Sequence, residues 1–161
     1  THESSKSAIA RQAQKSFDKS VSQQTIDQPE VVITGSGNLG NIWLTKLTGR
    51  ATADDIEAAY PELIEKLLDT EGIGLILVQT SDGPICVSKK GSINLKTNEI
   101  EGHNPLEKYS QLDRASLLRV TSMDTAPDIA LISSYDTNTG EVYAFEELVG
   151  NHGGLDRKSV V

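Results

Sequence analysis

Ile73-Gly74-Leu75-Ile76-Leu77-Val78-Gln79-Thr80 is the stretch on which the fold turns. It is a short, almost unbroken aliphatic run with Gly72 before it and Ser81-Asp82-Gly83 after it. An apolar run of this length between turn residues reads as a core strand rather than a helix. Asp82-Gly83 is a turn signal, and Ile85-Cys86-Val87 returns. Lys90-Gly91 turns the chain again, into Ile93-Asn94-Leu95. The whole reads as an antiparallel meander.

Working upstream, Thr52 to Leu68 is the clearest helix. Thr52 is a suitable N-cap, and Asp55 three residues on completes a short-armed capping box. Ile56, Tyr60, Leu63, Ile64, Leu67 and Leu68 make one apolar face, and Gly72 lies past its end. Pro61 interrupts the pattern, so a kink or two abutting helices is expected. Further back, Val31-Val32-Ile33-Thr34 reads as a buried strand, Gly35-Ser36-Gly37-Asn38 as a turn and Ile42-Trp43-Leu44-Thr45 as a second strand. Ala8, Ile9, Ala13, Phe17 and Val21 recur at helical spacing, which predicts a helix over Ser5 to Ser20.

Downstream, Glu101 to Gln111 reads as a loop broken by Pro105. Asp113 is expected to cap a helix running to Val120, and Pro127 to open a strand over Ile129 to Ser133. A hairpin loop over Asp136 to Gly140 and a last strand over Val142 to Phe145 complete the pattern. Strands outnumber helices, and most adjacent ones are hairpin-linked. The expected class is α+β: a mixed, largely antiparallel sheet with helices on one face. The expected organisation is an N-terminal helical segment over 1–28, one α+β domain over 29–155 and a tail over 156–161.

The 161 residues suffice for one core, and with aromatics at only 4% that core must be aliphatic. A formal charge of −8 argues against a nucleic-acid binder, which needs clustered Lys and Arg. It equally disfavours docking on anionic lipid. No run approaches the ~20 apolar residues of a membrane span, so the chain itself is expected to be soluble. With Cys86 as the single cysteine, neither a disulfide framework nor a Cys-based zinc site is available. A chain opening on Thr1 is expected to be a piece of a longer protein.

Several motifs carry two readings. Gly35-Ser36-Gly37-Asn38-Leu39-Gly40 fits the dinucleotide-binding G-x-G-x-x-G pattern. That reading requires a long helix after the glycines, whereas Ile42-Trp43-Leu44 suits a strand, so a glycine-rich hairpin is preferred. Asp136-Thr137-Asn138-Thr139-Gly140 resembles the start of a calcium loop with Glu147 at its twelfth position. A hairpin turn is the simpler reading. Cys86, between Ile85 and Val87, reads as a small core hydrophobe rather than a nucleophile. His103 reads as a surface loop residue, and His2 as part of a terminus.

His152 differs. It lies in Phe145-Glu146-Glu147-Leu148-Val149-Gly150-Asn151-His152-Gly153-Gly154, among small residues just past an apolar strand, where an imidazole can be offered to a metal. This segment resembles the closing motif of bacterial type I phosphodiesterase/nucleotide pyrophosphatase-like proteins of the alkaline phosphatase superfamily. The resemblance extends over about four-fifths of the chain. It takes in Gly35 to Gly40, Asp55-Ile56-Glu57-Ala58 with Tyr60-Pro61, Gly72-Ile73-Gly74, Gly83-Pro84, Glu101-Gly102 with Asn104-Pro105-Leu106, and Ala126-Pro127-Asp128-Ile129. Only the Phe145 to Gly154 block is close to diagnostic.

The resemblance implies hydrolysis of phosphate esters or pyrophosphate bonds with two metal ions, usually zinc, and a Ser or Thr nucleophile attacking phosphorus. It implies that His152 is the last metal ligand, and that Glu146 or Glu147 supports its loop from behind. The family's Asp-His-Gly pair, early ligand Asp and nucleophile have no counterpart here, and residues 156–161 diverge from the family's closing strand. The chain is therefore expected to be a fragment of a metal-dependent phosphoesterase, inactive alone and partnered by a missing N-terminal catalytic region. Membrane segments are common elsewhere in such proteins, so a membrane-associated parent is implied. The competing readings are a non-catalytic α+β binding or assembly module and nucleotide binding at Gly35 to Gly40. Asp128, after Pro127, reads as a cap at the start of a strand rather than a metal ligand.

Overall fold

The computed structural model describes residues 29–135 and 143–145. Among these, seven strands form one antiparallel sheet: β1 (Val31–Ser36), β2 (Leu39–Leu44), β3 (Ile73–Thr80), β4 (Gly83–Ser88), β5 (Gly91–Asn94), β6 (Ile100–Gly102) and β7 (Ile129–Ser133). Their order across the sheet is β1-β2-β7-β3-β4-β5-β6. The helices are α1 (Ala53–Ala59), α2 (Leu63–Asp69) and α3 (Gln111–Thr121). The α+β class and the β3–β4–β5 meander are as the sequence predicts. The helix expected over 5–20, the loop over 136–140 and the tail over 156–161 lie outside the described residues. No helix among the described residues is long and apolar enough to cross a membrane.

The two middle strands explain the layering. All five residues of β7, and Leu75 to Val78 of β3, are buried. Successive side chains on a strand face opposite ways, so such runs need cover on both faces. Ile76, Val78, Ile129 and Leu131 pack with Ile56 and Leu68 of α1 and α2 on one face. Leu75, Leu77, Ala130 and Ile132 pack with Leu117 of α3 and with Cys86, Ile93 and Leu106 on the other. Helices therefore cover both faces, which corrects the one-sided expectation.

Pro61 divides the Thr52–Leu68 pattern into two helices. Proline lacks an amide donor and disfavours helical geometry in the residue before it. Tyr60 accordingly closes α1 at φ −135°, ψ 74°, and Glu62 opens α2 in the left-handed region at φ 62°. Thr52 caps α1, with its hydroxyl accepting from the Asp55 amide at 3.2 Å and the Asp55 carboxylate accepting from the Thr52 amide at 2.9 Å.

Four local expectations are corrected. β1 is an edge strand rather than a buried one, and Ile33 on it is 69% exposed. β6 takes in Glu101 and Gly102, the first two residues of the stretch expected to be loop. Asp113 is the third residue of α3 rather than its cap, because Ser110 occupies the N-cap and forms the capping box with it. Tyr143 to Phe145 form no regular strand, but are held by single hydrogen bonds from Tyr143 N to Ser134 O (3.3 Å) and from Phe145 N to Gly37 O (2.7 Å).

Candidate functional site

One end of the sheet collects the features that bear on function. β1 and β2 meet there in a two-residue hairpin, with Ser36 paired to Leu39. Gly37 stands first in the turn at φ 61°, a conformation open to glycine at little cost. This antiparallel hairpin is the reading the sequence prefers for Gly35 to Gly40, and it leaves no place for the nucleotide alternative, because the glycines lead into β2, which continues to Leu44, and not into a helix.

At the same end, the Ser133 amide at the close of β7 donates to Asn38 O at 3.0 Å, and the Ser134 amide donates to Gly72 O at 2.8 Å. Segment 143–145 is laid over this junction. A Cβ on Gly35 would meet the Phe145 Cβ at 3.2 Å, and one on Gly40 would come within 3.5 Å of the Phe145 ring. One on Gly72 would meet the Tyr143 ring at 3.3 Å. These glycines are thus the surface on which the two aromatic side chains lie. Gly35 and Gly40 are distant in the chain from Phe145, and Gly72 from Tyr143, and each is adjacent to its aromatic partner in space.

The junction also holds two buried polar atoms, Asn38 Oδ1 and Ser133 Oγ, that find no hydrogen-bond partner among the described residues. Asn38 is 2% exposed. Buried polar side-chain atoms in folded proteins are mostly paired, with protein groups or with ordered water.

Beside it lies a cleft of about 400 Å³ whose lining includes Lys90, His103, Lys108, Ser133 and Tyr135. His103 stands 3.4 Å from the Glu107 carboxylate on the surface, and Lys89 pairs with Asp69 at 3.3 Å. Glu107 lines the cleft together with Lys89, Lys90 and Lys108, so it holds three lysines, one of them paired with Asp69, and one carboxylate.

The residues singled out for metal chemistry divide. Glu146, Glu147 and His152 lie outside the described residues, as does the stretch from Asp136 to Gly140 with the calcium reading. Among the described residues no group of three or more His, Cys, Asp or Glu side chains is arranged to hold a metal ion. A catalytic zinc takes about three protein ligands and a water, so the described residues do not fit a zinc site on their own.

Cys86 is fully buried in β4, and burial alone pushes its thiol up to about 12. That is the signature of a core residue rather than a nucleophile. Asp128 is also structural. It is 5% exposed, and its two oxygens accept from the Leu44 amide at 2.8 Å and the Ala51 amide at 2.7 Å. It binds the end of β2 and the approach to α1 to the start of β7, and the sequence places it correctly at that strand's start.

No family model, curated protein or solved structure matches this chain.

Proposed function

We propose that this chain is a portion of an alkaline-phosphatase-like α/β domain from a metal-dependent phosphoesterase of the phosphodiesterase or pyrophosphatase type. In this reading His152 supplies the last metal ligand through a neutral imidazole nitrogen, and Glu146 or Glu147 steadies its loop. Zinc, or another divalent ion, would act as a Lewis acid on the phosphoryl oxygens of a phosphate-ester substrate. The remaining ligands and the nucleophile belong to an N-terminal catalytic region of the parent protein, and the chain alone is inactive.

The observation that supports this reading most is the seating of Phe145. Phe145 opens the Phe-Glu-Glu-Leu-Val-Gly-Asn-His-Gly-Gly run, and the glycine motif from Gly35 to Gly40 belongs to the same family resemblance. The two are packed against each other through Gly35 and Gly40 and joined by the Phe145–Gly37 hydrogen bond. Phe145, the first residue of that motif, lies at the sheet end that also holds Asn38, Ser133 and the cleft. Lys90 and Lys108 there suit the charge of a phosphate ester.

The test is zinc content and hydrolysis of bis-p-nitrophenyl phosphate, measured side by side on this polypeptide and on the product of the complete gene. The reading predicts metal and turnover in the complete product only. Absence of both from the complete product would overturn it.

A further inference from the structure

Among the described residues β1 and β6 are the two edges of the sheet, and they differ. β6 is three residues long and carries Glu101. β1 is six residues long, holds no charge and no proline, and pairs with β2 in unbroken register. Natural sheets usually blunt such an edge, because its outer amides and carbonyls are a template for another strand.

The register fixes which groups face outward. Ser36 and Leu39 close a two-residue turn and exchange hydrogen bonds, and the pairs that do so alternate from there. Thr34 and Val32 therefore bond to β2. The alternation continues at Glu30, whose carbonyl accepts from the Thr45 amide at 3.1 Å. It skips Val31, and the Leu44 amide opposite Val31 goes to Asp128 instead. Val31, Ile33 and Gly35 thus turn their amides and carbonyls away from β2. None of these groups has a hydrogen-bond partner among the described residues. The Ile33 side chain stands over them largely bare.

The strand that fits this edge is a second copy of itself. A two-fold axis at Ile33 sets Ile33 opposite Ile33 of the second copy, and Val31 opposite its Gly35. Every outward amide then meets an outward carbonyl, and the contact closes on itself. The exposed Ile33 side chains cover one another, as β-branched cross-strand pairs do. Like charges stay apart. Glu30, already paired with Lys46 at 2.8 Å, falls opposite Ser36 of the second copy. In-register parallel pairing would instead set the two Glu30 carboxylates side by side. With no charge on β1 to match, the edge offers a charged foreign peptide nothing of that kind.

We propose that two copies of this chain associate by antiparallel pairing of their β1 strands about a two-fold axis at Ile33, giving one continuous sheet. The proposal is independent of the phosphoesterase reading. One strand pair lies at the low end of interface sizes, under about 1,200 Å², so the dimer is weak. Its dissociation constant is expected on the order of 10–100 μM.

Analytical ultracentrifugation of the 161-residue chain between about 5 and 500 μM tests it. The expected result is concentration-dependent conversion of monomer to dimer, with nothing larger. Ile33→Pro removes the amide at the axis while leaving Val32 and Thr34 paired to β2, and should weaken the dimer about tenfold or more. Ile33→Lys and Ile33→Glu, at an exposed position, should each stay monomeric, since like charges then face each other. An equimolar mixture of the two should associate again. A monomer at every concentration, growth beyond the dimer, or failure of the Lys and Glu variants to recover association on mixing would each overturn the proposal. The charged pair decides the matter even if Ile33→Pro does not fold.

Discussion

The backbone amide of Phe145 donates to the carbonyl of Gly37 at 2.7 Å, and the Phe145 side chain rests where Gly35 and Gly40 leave no Cβ. Phe145 is thereby fastened to the β1–β2 hairpin. A branched side chain at Gly35 should dislodge it, because its Cβ alone would sit 3.2 Å from that of Phe145. Gly35→Val is expected to speed hydrogen exchange of the Phe145 amide by about tenfold or more, with amides of β3 and β7 unchanged. Equal protection in the variant would mean that the glycines do not hold this segment.

Asp128 should be one of the costliest polar positions to change. Asp128→Asn keeps one acceptor but turns an NH₂ group toward a backbone amide that also donates. A buried donor left unpaired costs about 1–3 kcal/mol, and more where a charged acceptor is lost. A loss of about 3 kcal/mol in urea unfolding is expected. A change under about 0.5 kcal/mol would show that the two amides find other partners.

The capping box at Thr52 predicts an acid response. The hydrogen bonds from Thr52 hold the Asp55 carboxyl below its ordinary 3.8, and those from Lys46 and Tyr60 hold Glu30 below its ordinary 4.5. A depressed carboxyl adds stability that is present above its ordinary value and is lost as pH falls through the depressed one. Thermal unfolding followed downward from about pH 6 should therefore steepen below about pH 4.5. Thr52→Ala should cost about 1 kcal/mol near neutrality and flatten part of the acid limb. An acid limb identical to that of the parent chain would remove Asp55 from the account.

Cys86 predicts the opposite limb. Its thiol is held protonated to about 12 in the folded chain, against an ordinary 9.0. The folded state thus binds the proton over that interval and the unfolded state releases it, so this contribution to stability is complete below pH 9.0 and is lost as pH rises above it. In the native chain the thiol should resist a disulfide reagent at neutral pH and react only at the rate of unfolding. Rapid stoichiometric labelling would contradict its burial.

The elements legible in the sequence were those with strong local signals. The aliphatic run from Ile73 to Val78, the turn residues Asp82-Gly83 and the Thr52/Asp55 pair each fix their own structure. β6 was not legible, because Ile100-Glu101-Gly102 is three exposed residues long and carries no periodicity. Helices on both faces were signalled by the unbroken apolar character of β3 and β7, which alternation-based reading passes over. At the start of α3, Ser110 and Asp113 form a capping box three residues apart, and taking Asp113 for the cap placed the helix start too late. The hydrogen bond from Arg50 to the Thr121 carbonyl had no local signature, since the two are 71 residues apart. The adjacency of Phe145 to Gly35 and Gly40 is likewise a product of the folded sheet rather than of spacing along the chain.

The central claim is that His152 is a metal ligand in the parent enzyme. The most direct test is His152→Ala in the product of the complete gene, with zinc stoichiometry and bis-p-nitrophenyl phosphate turnover measured on the same preparation. The account predicts loss of turnover together with loss of zinc, in a protein whose thermal unfolding is otherwise like that of its parent. Unchanged turnover with full zinc occupancy would contradict it.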